Sequence, residues 1–149
     1  SELLWGFEPN RKVNDEIIRR HNLGDLSVII PVHSHHDHAM HAPYIAKFTS
    51  ATLLCTSSTL YIQGDSEISA DKCEKAELYV PYTYGDFKVT LLPTEHGKVP
   101  SFLKSILGMG EEITSPLEYP SKLWDYSESS AYSVLVEHQN TNFLVHAST

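Results

Sequence analysis

Four histidines and an aspartate fall within six consecutive positions, His33-Ser34-His35-His36-Asp37-His38, in a chain of 149 residues that holds nine histidines in all. Imidazole has an unperturbed pKa near ~6.5, so it is largely neutral at pH 7 and available as a metal donor. His33 and His35 are two apart; in extended backbone they project to one side and can share one ion. Asp37 and His38 are adjacent and point apart, and in a turning loop that pair can face a second ion. Two ions about 3.5–4 Å apart are the working arrangement of many hydrolases. The pattern therefore points to a metal site that does chemistry.

Neither an affinity tag nor a structural zinc site fits the cluster as well. A tag is a contiguous terminal run, whereas these residues are internal and follow a core-like strand. Closed structural zinc sites favour cysteine, and Cys55 and Cys73 form no CxxC pair. Cys55, in the apolar run Ala51-Thr52-Leu53-Leu54-Cys55, reads as a small buried hydrophobe, and nothing in the sequence supports a disulfide.

The elements that must hold the cluster are legible around it. Pro9 to His21, with Val13 and Ile17 one turn apart, reads as an amphipathic helix followed by Gly24. The β-branched run Leu26–Val32 reads as a strand covered on both faces and leads directly into His33. A short helix is expected from Pro43 to Thr49, with proline in its first turn. A second buried strand is expected over Ala51–Thr56, with Ser57 or Ser58 capping a short helix after it. Further strands are expected at Ala76–Val80 and Phe87–Leu92, joined through Pro81–Asp86. A hairpin follows, pairing Tyr132–Glu137 with Asn142–Val145 across Gln139-Asn140-Thr141. Between them, Gly97 to Ser130 is long, polar and aperiodic, as expected of a lid or substrate-binding segment. Alternating strands and helices give an α/β fold of layered type, read as one domain over 1–149. The chain stops directly after a strand, which suggests a piece of a larger fold, or an edge that a partner chain covers.

Composition narrows the partners. Hydrophobic residues make up 41 % and charged residues 20 %, ordinary for a soluble globular protein. The net charge of −8, with 11 basic against 19 acidic side chains and the basic ones scattered, argues against a nucleic-acid groove. No apolar stretch approaches the length of a membrane span and the N-terminus has no signal pattern, so no membrane partner and a cytoplasmic location are expected.

With strand before and helix after, His33-Ser34-His35-His36-Asp37-His38 matches the HxHxDH signature, and the chain resembles the metallo-β-lactamase superfamily. The resemblance implies an αββα four-layer sandwich with a metal pair at one rim of its sheets, and hydrolysis by a metal-bound hydroxide. It implies that His33, His35 and a later strand-end histidine hold the first ion; His96, after Val89–Glu95, fits that place. Asp37 and His38 would hold the second ion, with Asp37 also orienting the nucleophile. His36 is expected to pack or face solvent. His41 is either an exposed helix histidine or a residue that orients a ligand. Tyr126, Tyr132 and Trp124 either line a substrate pocket or pack in the core.

Within the superfamily, the insertion after His96 and the run Tyr132–Val136 look closest to the lactonase and phosphodiesterase-like branch, which includes the L-ascorbate 6-phosphate lactonase group. Two features depart from the family pattern. Ser148 stands about where a bridging aspartate is usual, leaving His146 either as a substitute ligand or as a plain strand-end histidine. The family's last metal histidine lies beyond residue 149, and its initial strands have no counterpart before residue 33, so the resemblance implies an incomplete sandwich. The expectation is thus a hydrolase of an ester, lactone or phosphodiester in a small-molecule substrate. Zinc is the expected ion, with manganese or iron as alternatives. The rival is a non-catalytic metal-binding or assembly subunit that keeps part of the site.

Overall fold

Asn10 opens the first helix, α1 (Arg11–Arg20), by accepting a hydrogen bond from the Val13 backbone N–H at 3.1 Å. Arg19 and Arg20 in its last turn complement the helix dipole. The periodicity that predicts this helix does not say which face is covered. Val13 and Ile17 are 46 % and 37 % exposed, and the buried residue is Asn14. Among its described contacts is a polar one: the Tyr44 hydroxyl donates to Asp15 Oδ1 at 2.8 Å. Asn10→Ala is expected to lower stability by about 1 kcal/mol, the usual cost of losing such a cap, checked by urea denaturation.

These elements come from a computed structural model that describes residues 6–63, 67–95, 97, 99–104, 109–128 and 130–146. A three-stranded parallel sheet comes first, in the order β1 (Val28–Ile29), β2 (Thr52–Cys55), β3 (Cys73–Lys75). Val28 pairs with Thr52, and Leu53 with Cys73. The short helices α2 (His36–Ala39) and α3 (Ala42–Lys47) connect β1 to β2, with Pro43 in the first turn of α3. β1 is much shorter than the apolar run that contains it. Pro31 has no N–H for a ladder, and the Val32 carbonyl instead accepts from Tyr132 N–H at 3.0 Å, in the other sheet. After β2 the helix α4 (Ser57–Leu60) is capped by Thr56, one residue earlier than expected. Thr56 is still extended, and its Oγ1 accepts from Thr59 N–H at 3.3 Å.

The second sheet is antiparallel, in the order β4 (Pro81–Tyr84), β5 (Phe87–Thr94), β6 (Ala131–His138), β7 (Thr141–His146). The strand expected at Ala76–Val80 is displaced to Pro81–Tyr84, and β3 lies where no strand is expected. Proline is tolerated here because β4 is an edge strand. Residues 76–80 contribute only a bridge, Leu78 to Leu91, with Tyr79 N–H donating to the Leu91 carbonyl at 2.9 Å. Tyr84 pairs with Phe87, so Gly85-Asp86 is a two-residue turn, and Gly85 takes the left-handed φ of +59° that such a turn needs. The expected final hairpin is present, with His138 pairing Thr141. β7 is exposed along its whole length, including Phe143, Leu144 and Val145.

β2 shows how the layers meet. Leu54 packs with Val32, Val89, Leu91 and Val134, between the two sheets. Its neighbours Leu53 and Cys55 point the other way, onto Ala42 and Ala46 of α3. The chain is therefore a mixed α/β protein with a parallel and an antiparallel sheet sharing one core. No helix among the described residues is long and apolar enough to cross a membrane.

The described part of the 97–130 segment contains one short helix, α5 (Ser101–Lys104), and a 3₁₀ turn at Leu123–Asp125. It is tied to the body of the protein. Leu117 N–H donates to the Tyr61 carbonyl at 2.9 Å, and the Tyr119 hydroxyl to the Ile62 carbonyl at 2.7 Å. Ser121 exchanges backbone bonds with Phe7. Gly6 is required at that crossing: its φ is +85°, and a Cβ there would lie 2.9 Å from the Ser121 carbonyl oxygen. Ile113 and Tyr126 complete a third core cluster with Ala39 and Ile62. Residues 109–128 are thus anchored to the body of the protein.

Both cysteines are free thiols, Cys55 fully buried and Cys73 half-buried. Burial pushes the Cys55 thiol well up from its ordinary range. Since the thiolate is the reactive form, a thiol reagent is expected to leave Cys55 unmodified in the native protein. Addition of guanidinium should release it, and counting modified thiols by mass spectrometry with and without denaturant checks this.

Candidate functional site

The histidine cluster sits where the chain leaves β1. Pro31, Val32, His33 and Ser34 are all buried, His33 at 1 % exposure. Three motif rings gather there. The centroids of His33 and His35 are 4.8 Å apart, edge to face, and those of His33 and His38 are 4.0 Å apart. His35 is still extended (φ −58°, ψ 148°) and precedes α2. The backbone bends at His33 and again at His35, which brings those two rings together, while the first turn of α2 brings His38 back over His33.

Asp37 behaves differently from the expectation that it points away from His38. In a helical turn the two side chains meet, and Asp37 Oδ2 lies 3.5 Å from His38 Nε2, with the Asp37 side chain 62 % exposed. His36 packs, as expected, with its ring 4.8 Å from Phe7 and 6.2 Å from Tyr126. His41 is half-buried and begins α3 without capping it. Burial pulls its pKa below the ordinary histidine value. Its Nδ1 has no hydrogen-bond partner among the described residues, so no orienting bond is formed through that atom.

His96 and Ser148 lie outside the described residues. The strand that leads to His96 is nonetheless delivered to the same rim. Pro93 pairs with Tyr132 and Thr94 with Ala131, and it is Tyr132 that binds the Val32 carbonyl just before His33. His146 pairs with Ser133 at the same end of the sheet, and its Nδ1 lies 2.6 Å from Ser133 Oγ and 3.5 Å from Thr94 Oγ1.

Tyr126 belongs to the core, with its hydroxyl donating to the Phe7 carbonyl at 3.2 Å. Trp124 is exposed beneath the Lys122 ammonium, which lies 5.3 Å from the ring centroid. Tyr132 lines a cavity of about 110 Å³ with Thr56, Ser58, Glu112 and Glu128. Burial raises the pKa of its phenol.

Glu128 is the residue that sequence reasoning missed. It is a buried carboxylate, and the Ser34 hydroxyl reaches both its Oε2, at 3.0 Å, and the Ser127 carbonyl. Thr56 Oγ1 donates to the same Oε2 at 3.3 Å, and Ser130 N–H donates to Oε1 at 3.3 Å. With Ser34 and Glu128 standing 94 positions apart, and no periodicity around the latter, no spacing rule could have found the contact.

The donor chemistry fits an imidazole-binding dication such as zinc: three imidazoles gathered at one strand end, with a carboxylate beside the third. The rings stand against one another, and among the described residues no three His, Cys, Asp or Glu side chains are arranged to grip an ion. No protein-family model matches the chain, and no curated protein matches it.

Proposed function

We propose that this chain is a metal-dependent hydrolase of the metallo-β-lactamase type, acting on an ester, lactone or phosphodiester bond of a small molecule. The observation that carries the reading is the convergence of His33, His35 and His38 at the buried end of β1. In this reading the two joined sheets are the inner layers of an αββα sandwich. His33 and His35, with His96 from the end of β5, hold one ion, zinc before manganese or iron. Asp37 and His38 serve a second. A bound dication supplies a water acidified toward neutral pH and positive charge at the attacked oxygen. The chain's own part is to hold the imidazoles in place, and to let Asp37, exposed beside His38, accept a hydrogen bond from the attacking water.

Metal analysis and a hydrolase screen on the 149-residue chain test this. One or two ions per chain are expected. Turnover of a chromogenic phosphodiester or lactone should be abolished by a chelator and restored by zinc. A chain that takes up no zinc at micromolar concentration would sink the proposal. The exposure of Asp37, the group that would orient the attacking water, favours a second reading, a non-catalytic metal-binding or assembly subunit. It would show itself as metal uptake with no turnover of any substrate in the screen.

A further inference from the structure

Ser34 lies between the two histidines whose rings meet edge to face. It is bonded to both through the backbone, so whatever holds its buried hydroxyl restrains the bend from which the flanking rings project. That hydroxyl is fully buried and reaches Glu128 Oε2 and the Ser127 carbonyl. Glu128 in turn is held from two further directions. Thr56 uses its lone pair to cap α4 and its proton to reach the same carboxylate oxygen, while Ser130 N–H, at the entry to β6, holds the other oxygen. One buried carboxylate thus joins the loop leaving β1, the loop leaving β2 and the start of the strand whose Tyr132 binds Val32.

We propose that Glu128 is a positioning residue for the histidine cluster, acting through Ser34 to aim His33 and His35. The inference rests on the metal-site reading above. Partners one step removed from a metal commonly contribute about 10–100-fold to its affinity, because they fix ligand orientation. Glu128→Ala and Ser34→Ala are each expected to weaken zinc binding by about that factor, measured by competition with a chromophoric chelator. The double variant should lose no more than the worse single, since both remove the same link. Glu128→Gln keeps an oxygen for Ser34 and Thr56, and should retain affinity within about threefold of the parent.

Cobalt(II) gives the second readout. The d–d absorption bands should shift in Glu128→Ala and stay in place in Glu128→Gln, which a purely structural role would not produce. If Glu128→Ala fails to fold by circular dichroism, Ser34→Ala, which removes only one hydroxyl oxygen, decides the matter. Parent-like affinity and cobalt spectrum in Ser34→Ala, or additive losses in the double variant, would overturn the positioning role while leaving the metal site intact. A parent chain that binds neither zinc nor cobalt would overturn both.

Discussion

His33→Ala is expected to reduce zinc affinity by more than about 100-fold, beyond the upper end of what loss of an orienting partner costs, with hydrolysis falling in step. His33 is the buried member of the cluster, and both His35 and His38 pack against its ring, so its removal takes out one donor and the support of two others. His36→Ala is the matched control from the same six residues. Its ring packs on Phe7 and Tyr126 instead of joining the other three. Its Nδ1 also lies 3.8 Å from Asp37 Oδ1, so its loss should cost about 0.5–1.5 kcal/mol of stability, typical of an aromatic contact, with a fall in zinc affinity far smaller than in His33→Ala. Equilibrium zinc competition on both variants, with circular dichroism to confirm folding, checks the pair. Equal affinity in the parent and His33→Ala would remove the cluster from the metal-site hypothesis.

Leu91→Ala is expected to be the most damaging single truncation of the core, at roughly 2–5 kcal/mol. Leu91 is 1 % exposed and packs with Val32, Leu54, Val89 and Val134, where the parallel and antiparallel sheets meet. Its backbone also bridges to Leu78 and accepts from the Tyr79 N–H, in the segment between β3 and β4. Most of the side chains around it stand on hydrogen-bonded strands, so a cavity there collapses little. The melting temperature of the metal-free chain should fall by roughly 5–15 °C, with little change in the denaturant m-value. Leu144→Ala removes the same atoms from the exposed strand β7 and should change stability by less than about 0.5 kcal/mol. Similar losses for the two variants would mean that the sheets do not share the core described.

What local sequence rules could determine, they determined well. The helical run before His21 and the proline in the first turn of α3 belong to elements that close their hydrogen bonds within a few residues, and the β-branched and apolar runs of β2, β5 and β6 are legible by composition even though their ladder partners lie far away in the chain. The contact of His33 with His35 is present, but not through the two-residue repeat of extended chain, because the backbone bends at both positions. Nor does that repeat give the approach of Asp37 to His38, because the backbone turns helical at His36.

Tertiary structure decided the rest. β1 ends at Ile29, although its apolar run continues, because its Val32 carbonyl is taken by Tyr132 in another sheet. Residues 81–84 form a strand rather than a loop because β5 offers them an edge that proline can occupy. Val13 and Ile17 mark a helix but lie exposed, since burial depends on which neighbour arrives and not on period. Glu128 reads as one more acid in a polar stretch until folding brings it under Ser34. Helix caps and strand alternation are set within a few residues, whereas sheet order, strand length and the burial of a carboxylate depend on segments far apart in the chain.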